Sequence, residues 1–397
     1  MKIVIVHNAN QQFAGDDVVV AQEIKLLEDA GNEVVLFKRS NWDVEDYPGI
    51  GRISLAKRTI WASDTKRDFA RLLATEKPDV VHAHNTFVMI SPSVFSACFE
   101  AGVPVVQTLH SYRLLCPAAT LFRSGGVCEE CMQHSLLRSV RHGCYRNSRT
   151  TTTVTALMLA FHRLRKTWSR EISCFVALTE FSRRKFVEGG LPAEKVVVKP
   201  NFLDPDPGKR TGDGEYALYV GRLSPEKSVA TILEAWKRLR MPIPLLIVGT
   251  GPQEMNLRAQ ATHERLTNVH FKGEVRHEEA IAAFKNARFL VFPSQWYEGF
   301  PMTLVESFAC GTPVICSRMG AMQEIVTDGR TGLHVTPGDV DELVQKVQWA
   351  WTHPEEVRAM GKEARSDYES KYTAKRNYPM LMEIYKRSIA GEFREAQ

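Results

Sequence analysis

Glu298 and Glu306, two carboxylates with seven residues between them, stand in the stretch Phe289-Leu-Val-Phe-Pro-Ser-Gln-Trp-Tyr-Glu298-Gly-Phe-Pro-Met-Thr-Leu-Val-Glu306-Ser-Phe-Ala-Cys-Gly311-Thr-Pro-Val-Ile. Carboxylates accept hydrogen bonds from hydroxyls, Gly299 lets the backbone approach a ligand, and the first amides of a following helix have no intrahelical partners and suit an anion. Together these suit a sugar nucleotide; the competing reading is a solvated amphipathic helix carrying two incidental acids. Arg222 and Lys227, in Tyr216-Ala-Leu-Tyr-Val-Gly221-Arg-Leu-Ser-Pro-Glu-Lys227, form a second candidate set. Two cations at a strand end can neutralise a departing diphosphate, work that other transferases give to a metal, or they can be ordinary surface charges.

The elements that must position these groups follow from the pattern. Phe289–Phe292 is a short apolar β-rich run, a helix follows the loop, and Gly311-Thr-Pro313 breaks it before another strand. Eight residues are a little over two helical turns, so both glutamates can face one side of that helix. Gly221 closes one strand ahead of a helix over about 228–240, and Leu245-Leu-Ile-Val-Gly249-Thr-Gly251 is the next strand and turn, its glycines leaving room for a nucleotide. At the other end of the chain, Lys2–His7 is a buried-type strand, Asn8–Asp17 a polar loop, 18–30 a helix and Gly31–Phe37 a cap and second strand. That order opens a doubly wound α/β domain, although no Gly-x-Gly-x-x-Gly follows the first strand. Pro78-Asp-Val-Val-His82-Ala-His84 and Val103-Pro-Val-Val-Gln-Thr-Leu-His110 bring histidines to strand ends, the edge where open α/β sheets bind ligands. A buried hydrogen-bonded role suits His82 as well as catalysis does, and His84 is the better candidate to face a ligand.

The glutamate pair in this setting resembles the donor site of the family 4 retaining glycosyltransferases. The resemblance covers nearly the whole chain, more specifically its second half, and implies the GT-B architecture: two Rossmann-like doubly wound domains facing a central cleft. It implies that Glu298 meets hydroxyls of the donor sugar, Glu306 holds the nucleotide ribose, and Arg222 and Lys227 stabilise the leaving diphosphate. His110 matches a histidine that approaches the donor sugar, with Ser111 where the family has an aspartate. By the same resemblance Gly15, Gly221, Gly251, Glu274, Gly299, Phe300 and Pro301 line the donor site, with Gly15 and Asp16 as candidates for phosphate or acceptor contact. Ala14-Gly15 departs from the family's paired glycines, and both Gly15 and Asp16 can equally shape a turn. The implied reaction moves a sugar from a nucleotide diphosphate sugar to a hydroxyl of a glycan or lipid-linked acceptor, in polysaccharide or surface-glycan assembly. Attack on the face that the diphosphate leaves fits the lack of an evident nucleophile. A GT-B epimerase and a non-catalytic scaffold binding sugar nucleotides or membrane are the alternatives.

Boundaries follow from length and composition. The 397 residues suffice for two or three domains, and 44% apolar with 24% charged residues is a globular composition. We read 1–203 as an N-terminal acceptor-side domain, 204–214 as a Pro/Gly-rich linker, 215–373 as a nucleotide-sugar domain and 374–397 as a helix crossing back. The net charge of +5 is mild and makes no case for nucleic acid. No apolar run is long enough to span a bilayer, and Ile3–Val6 is too short for a signal-peptide core, which places the protein in the cytoplasm. Met132–Arg170 contains no acid and eight Arg or Lys, with Val154, Leu157, Met158, Phe161, Leu164 and Trp168 at helical spacing. This is either a basic helix lying on the inner face of an anionic membrane or one with an ordinary core face. Cys116, Cys128, Cys131 and Cys144 form an insertion over about 116–144 whose Cys-x-x-Cys suggests a structural zinc site, with free thiols as the alternative. No Asp-x-Asp stands in the setting that metal-dependent transferases use, so no cofactor is expected to be essential for catalysis.

Overall fold

The computed structural model describes residues 1–11, 15–49 and 51–393. Two compact units emerge: unit one comprises 1–121, 128–201 and 374–397, and unit two comprises 122–127 and 202–373.

Unit one is built on strands β1 (Lys2–Ala9), β2 (Glu33–Ser40), β3 (Val80–Asn85), β4 (Val105–Thr108), β5 (Cys174–Ala177) and β6 (Val196–Val198). They form one sheet in the order β2-β1-β3-β4-β5-β6, all neighbours parallel, with Lys2 opposite Glu33 and Ile3 opposite Val80. Ile3, Val4, Ile5 and Val6 are each fully buried, so both sheet faces are covered, as consecutive apolar residues in a parallel strand require. Burying each such side chain contributes about 1.5–3 kcal/mol. One cover is the helix Ala374–Ala390, whose Leu381, Ile384 and Tyr385 pack with Ile3, Ile5, Val80, Val106 and Val176. Asn377 on that helix donates to the Pro200 carbonyl at 2.6 Å, which ties the returning helix to the end of the unit's own chain.

Unit two repeats the plan with β7 (Tyr216–Val220), β8 (Leu245–Val248), β9 (Val269–Gly273), β10 (Ala287–Phe292), β11 (Val314–Ser317) and β12 (Gly332–Val335). Its order is β9-β8-β7-β10-β11-β12, again all parallel. Reading along each sheet, the strand order reverses between β1 and β3 in unit one and between β7 and β10 in unit two. Loops leaving the two strands at such a point part to opposite faces and open a crevice.

The stretch read as a linker is packed onto unit two. Arg210 donates its Nη1 to the Ala287 carbonyl at 2.7 Å, and Arg365 reaches Asp206 Oδ1 at 2.7 Å, an ion pair that holds the aspartate below its ordinary value. The Pro/Gly composition that suggests flexibility here serves a path closely pinned by arginine forks.

The apolar stripe of the basic segment is divided between inside and outside, with Met158 and Trp168 buried. In the helix Arg149–Leu164 the buried face carries Thr152, Thr155, Ala156, Met158, Leu159 and His162. Leu157, Phe161 and Leu164 of the apolar stripe are exposed, and Leu164 is 85% exposed. Small and hydroxylated residues on the inner face let the helix approach its neighbours closely, which an apolar count does not register.

Gly249 has φ +126°, and a Cβ there would lie 2.1 Å from the Gly221 carbonyl oxygen. Gly249→Ala is expected to cost about 3 kcal/mol, read as a lower urea midpoint at unchanged slope. Gly15→Ala, whose Cβ would meet nothing within 4 Å, is expected to change stability by less than about 0.5 kcal/mol.

Candidate active site

The site of unit two assembles at its reversal point. The loop after β7 is shaped from within, since Gly221 N–H donates to the Val248 carbonyl at 3.0 Å, Leu223 N–H to the Thr250 carbonyl at 2.8 Å, and the Tyr219 hydroxyl to the Arg222 carbonyl at 2.9 Å. A Cβ on Gly251 would sit 2.4 Å from the Leu223 carbonyl oxygen. Glycine at 251 is therefore demanded by contact between two protein loops, whereas the sequence suggested only space for a ligand. Arg222 is exposed on this loop and Lys227 half-buried.

The loop after β10 brings Glu298 to meet Lys227. The ammonium lies 2.7 Å from Glu298 Oε1, and the Ser294 hydroxyl donates to the same oxygen at 2.7 Å. Lys227 also stands over the Phe292 and Trp296 rings at 5.1 and 5.6 Å. Glu298 is 5% exposed, a depth at which a carboxylate needs such a partner. The two loops are tied further by the Gln295 amide donating to the Glu226 carbonyl at 2.8 Å and the Gln295 side chain donating to Ser228 Oγ at 2.8 Å. Two residues assigned separate roles from sequence thus hold each other. Ser294, Tyr219 and Gln295 went unnoticed in the sequence, where a serine, a tyrosine and a glutamine carry no distinctive spacing.

The glutamate pair is not carried by one helix. The helix runs Met302–Ala309 with Pro301 as its N-cap, so Glu306 lies in its second turn and Glu298 in the loop before it. Proline sets the start of the helix, because it fits the end of a helix and breaks the turn before it. Phe300 packs on the core, with its ring 5.9 Å from that of Tyr372, and Pro301 is buried. Gly299 is half-buried, and Glu274 is exposed just beyond β9. Burial raises the Glu306 carboxyl above its ordinary value, opposed by His277, whose Nδ1 lies 3.8 Å from Oε1.

In unit one, His110 follows β4 and its Nε2 lies 2.9 Å from Nδ1 of His84 on β3, the rings stacked at 5.2 Å. Burial, then the charge of His84, holds His110 well below the ordinary histidine value, so it is neutral near pH 7. His82 is fully buried, with Nδ1 at 2.7 Å from the Tyr385 hydroxyl and Nε2 at 2.8 Å from Thr108 Oγ1. Gly15 begins the first helix and is exposed, without the left-handed backbone that would require glycine. Ala14 before it lies outside the described residues. Asp16 accepts from Asn10 Nδ2 at 2.8 Å, and burial, then the neighbouring Asp17, raises its carboxyl.

Of the four insertion cysteines Cys116 and Cys131 are buried and Cys128 and Cys144 half-buried, and burial, then Cys116 and later Cys144, pushes Cys131 up to about 11. Among the described residues, the one group of three or more His, Cys, Asp or Glu ligand atoms within 4.8 Å of one another is Glu23, His82 and His84. The four insertion cysteines are not part of that group.

Two six-stranded parallel sheets, each opening at its reversal point, one of them with a half-buried lysine paired to a buried glutamate beside an exposed arginine, are the two doubly wound units of a GT-B type protein. Residues 203–367 match the family Glycosyl transferases group 1, and residues 15–207 match Glycosyltransferase Family 4. The D-rhamnosyltransferase WbpZ of Pseudomonas aeruginosa is 34% identical over 161 residues, 40% of this chain and 42% of that protein. A glycogen synthase of Mycobacterium tuberculosis is 28% identical over 405 aligned residues, 91% of this chain and 88% of that protein. The crystal structure of HepE from Anabaena in complex with UDP has a TM-score of 0.69 at 18% identity, covering 97% of this chain and all (100%) of that one. The chain belongs to the family 4, group 1 glycosyltransferases.

The raised Glu306 carboxyl keeps its proton to a higher pH than an ordinary glutamate, and the neutral acid is a poorer acceptor for a ligand hydroxyl. Nucleotide affinity is expected to weaken as pH falls through a midpoint above the ordinary glutamate value. Calorimetric titration over about pH 5 to 8 checks this, and an unchanged profile in Glu306→Gln would remove the assignment.

Proposed function

We propose that the chain transfers a sugar from a nucleoside diphosphate sugar to an acceptor hydroxyl with retention of configuration. The observation that carries this reading is the Lys227–Glu298 pair, 2.7 Å apart at the reversal point of the unit-two sheet. On donor binding the ammonium turns to the diphosphate and the carboxylate to sugar hydroxyls, so each group exchanges one charged or polar partner for another. Arg222 on the same loop adds the second positive charge, and Glu306 takes the ribose hydroxyls. Charge on the leaving diphosphate grows in the transition state, where fixed cations are most effective. His110, by its match to the family motif, is the residue we assign to a hydroxyl of the donor sugar. UDP, present in the HepE complex, is the first base to try.

A glycan or lipid-linked hydroxyl is the acceptor class we favour, and unit one carries the support for an anionic membrane surface. Leu157, Phe161 and Leu164 are exposed on the Arg149–Leu164 helix, and Ile53 on the adjoining helix Gly51–Ile60. Arg149, Arg165 and Lys166 are exposed beside them. Such cations contribute about 1 kcal/mol each near an anionic bilayer. No helix among the described residues is long and apolar enough to cross a membrane.

Thermal melting with a panel of nucleotide sugars identifies the donor, since a ligand at 100-fold its Kd stabilises by about 2.7 kcal/mol. With that donor, Arg222→Ala is expected to lower turnover about 100- to 1000-fold while leaving the melting temperature in place. Lys227→Ala is expected to lose as much turnover and some stability, because Glu298 loses its counter-ion. Normal turnover in both variants would discard the leaving-group role, and an isomerised donor released without acceptor would point to an epimerase. Sedimentation with vesicles should retain the protein only when anionic lipid is present, and Leu157→Glu with Leu164→Glu should release it. Equal retention on neutral vesicles would remove the charge argument.

A further inference from the structure

Unit one buries a chain of titratable side chains that the proposed reaction does not itself use. Glu23, 1% exposed in the middle of the helix Gly15–Asp29, is at its head. Its Oε1 lies 2.8 Å from His82 Nδ1 and 3.2 Å from His84 Nε2, and its Oε2 lies 3.3 Å from Lys199 Nζ. Lys199 in turn donates to Asn377 Oδ1 at 2.8 Å. Burial alone would raise the Glu23 carboxyl, but His82, Lys199 and His84 outweigh it and hold it well below the ordinary range. It is therefore a carboxylate, able only to accept. Although Glu23, His82 and His84 are compact enough to interest a metal ion, the Lys199 ammonium already supplies the counter-charge on that carboxylate.

His84 is the next link. Burial, then the charge of His82, lowers it to about 4, so near neutral pH its ring holds one proton. Its Nε2 faces Glu23 Oε1 and its Nδ1 faces His110 Nε2 at 2.9 Å. The Nε2 contact is close but poorly aligned, and neither Glu23 Oε1 nor His84 Nε2 has a well-directed hydrogen bond elsewhere. A lone pair on Nε2 would be repelled by the carboxylate 3.2 Å away, so the proton of His84 belongs on Nε2. Nδ1 is then bare, and only a proton on His110 Nε2 can make the bond between the rings. His110, also neutral, is left with an unprotonated Nδ1.

We propose that Glu23, acting through His84, is a positioning residue that fixes His110 as the Nε2–H tautomer and leaves its Nδ1 as the acceptor for a substrate hydroxyl. This rests on the reading of His110 as a donor-sugar residue. It assigns the histidine the orienting of a hydroxyl, since a neutral ring with a bare Nδ1 has no proton to give there. It also accounts for a carboxylate at position 23, in register with Val20 and Leu27 on the buried stripe of its helix, where an apolar residue would otherwise pack.

Long-range proton–nitrogen correlation on the full chain labelled with 15N-histidine reads the tautomer directly, with His110 identified by its loss in His110→Asn. The wild type is expected to show His110 as Nε2–H near neutral pH, and an Nδ1–H ring or an imidazolium would overturn the proposal. In Glu23→Gln/Lys199→Met, which removes the carboxylate together with its ammonium, the amide can donate to His84 Nε2. The hydrogen-bond direction then reverses and His110 becomes Nδ1–H. That variant should keep the wild-type Kd for the nucleoside diphosphate and lose about tenfold in kcat, while Glu23→Asp should retain the wild-type tautomer. An unchanged His110 tautomer in the folded double variant sinks the inference with nucleotide binding intact. Failure of the wild type to bind any nucleotide sinks the transferase reading and leaves the tautomer result standing.

Discussion

A parallel sheet covered on both faces leaves only the ends of its strands to water, and the chemistry of this protein is arranged under that constraint. Ile3–Val6 and Phe289–Phe292 are buried throughout, so no side chain within them can meet a ligand. Polar residues appear where the strands run out, His84 and His110 in unit one, Arg222, Lys227 and Glu298 in unit two. In unit two these positions follow the two strands between which the order reverses, and in unit one His84 ends one such strand while His110 follows the neighbouring β4. The crevice there is a consequence of topology, and the residue types lining it are what distinguish this family from other doubly wound proteins.

Placing charge at such crevices carries a desolvation cost that each unit meets differently. In unit two Glu298 and Lys227 compensate each other, with Ser294 taking up the same carboxylate oxygen. The pair stands at a loop edge, so a ligand can replace either partner. In unit one Glu23 is sealed from water and compensated by Lys199, His82 and His84. Its members are almost wholly withdrawn from solvent and compensate one another, so each is oriented by its neighbours in the network. The returning helix closes it, with Tyr385 bonded to His82 and Asn377 to Lys199.

Much of the site was legible in sequence, and the exceptions have physical reasons. Alternating apolar runs and glycine turns mark the strands, and the last helix spans the residues its pattern indicates. Glu298 and Glu306 were recognised, but the helix between them starts late because Phe300 turns inward to Tyr372 before Pro301 caps the next turn. Gly251 was noticed for a different reason from the one the backbone supplies. On the basic helix, Thr152, Thr155 and Ala156 share the inner face with Met158 and Leu159 and leave Leu157, Phe161 and Leu164 outside, a division that an apolar stripe cannot reveal. Among the described residues the compact cluster of potential ligand atoms is Glu23, His82 and His84, drawn from separate elements, and the four insertion cysteines are not part of it.

From residue order alone come the alternation of strand and helix, the division into two similar halves, and the candidates for the donor site, because periodicity and turn chemistry are local and the glutamate setting is a contiguous string. Which side chains touch is another matter. The contact of Lys227 with Glu298 spans 71 residues, and that of Glu23 with Lys199 spans 176. Such pairs exist only once the sheets have closed, since burial determines whether a carboxylate is a solvated charge or a partner to be satisfied. A glutamate on an apolar helical stripe was the only local sign of the buried network. Its partners, and the tautomer they impose on His110, belong to the tertiary structure.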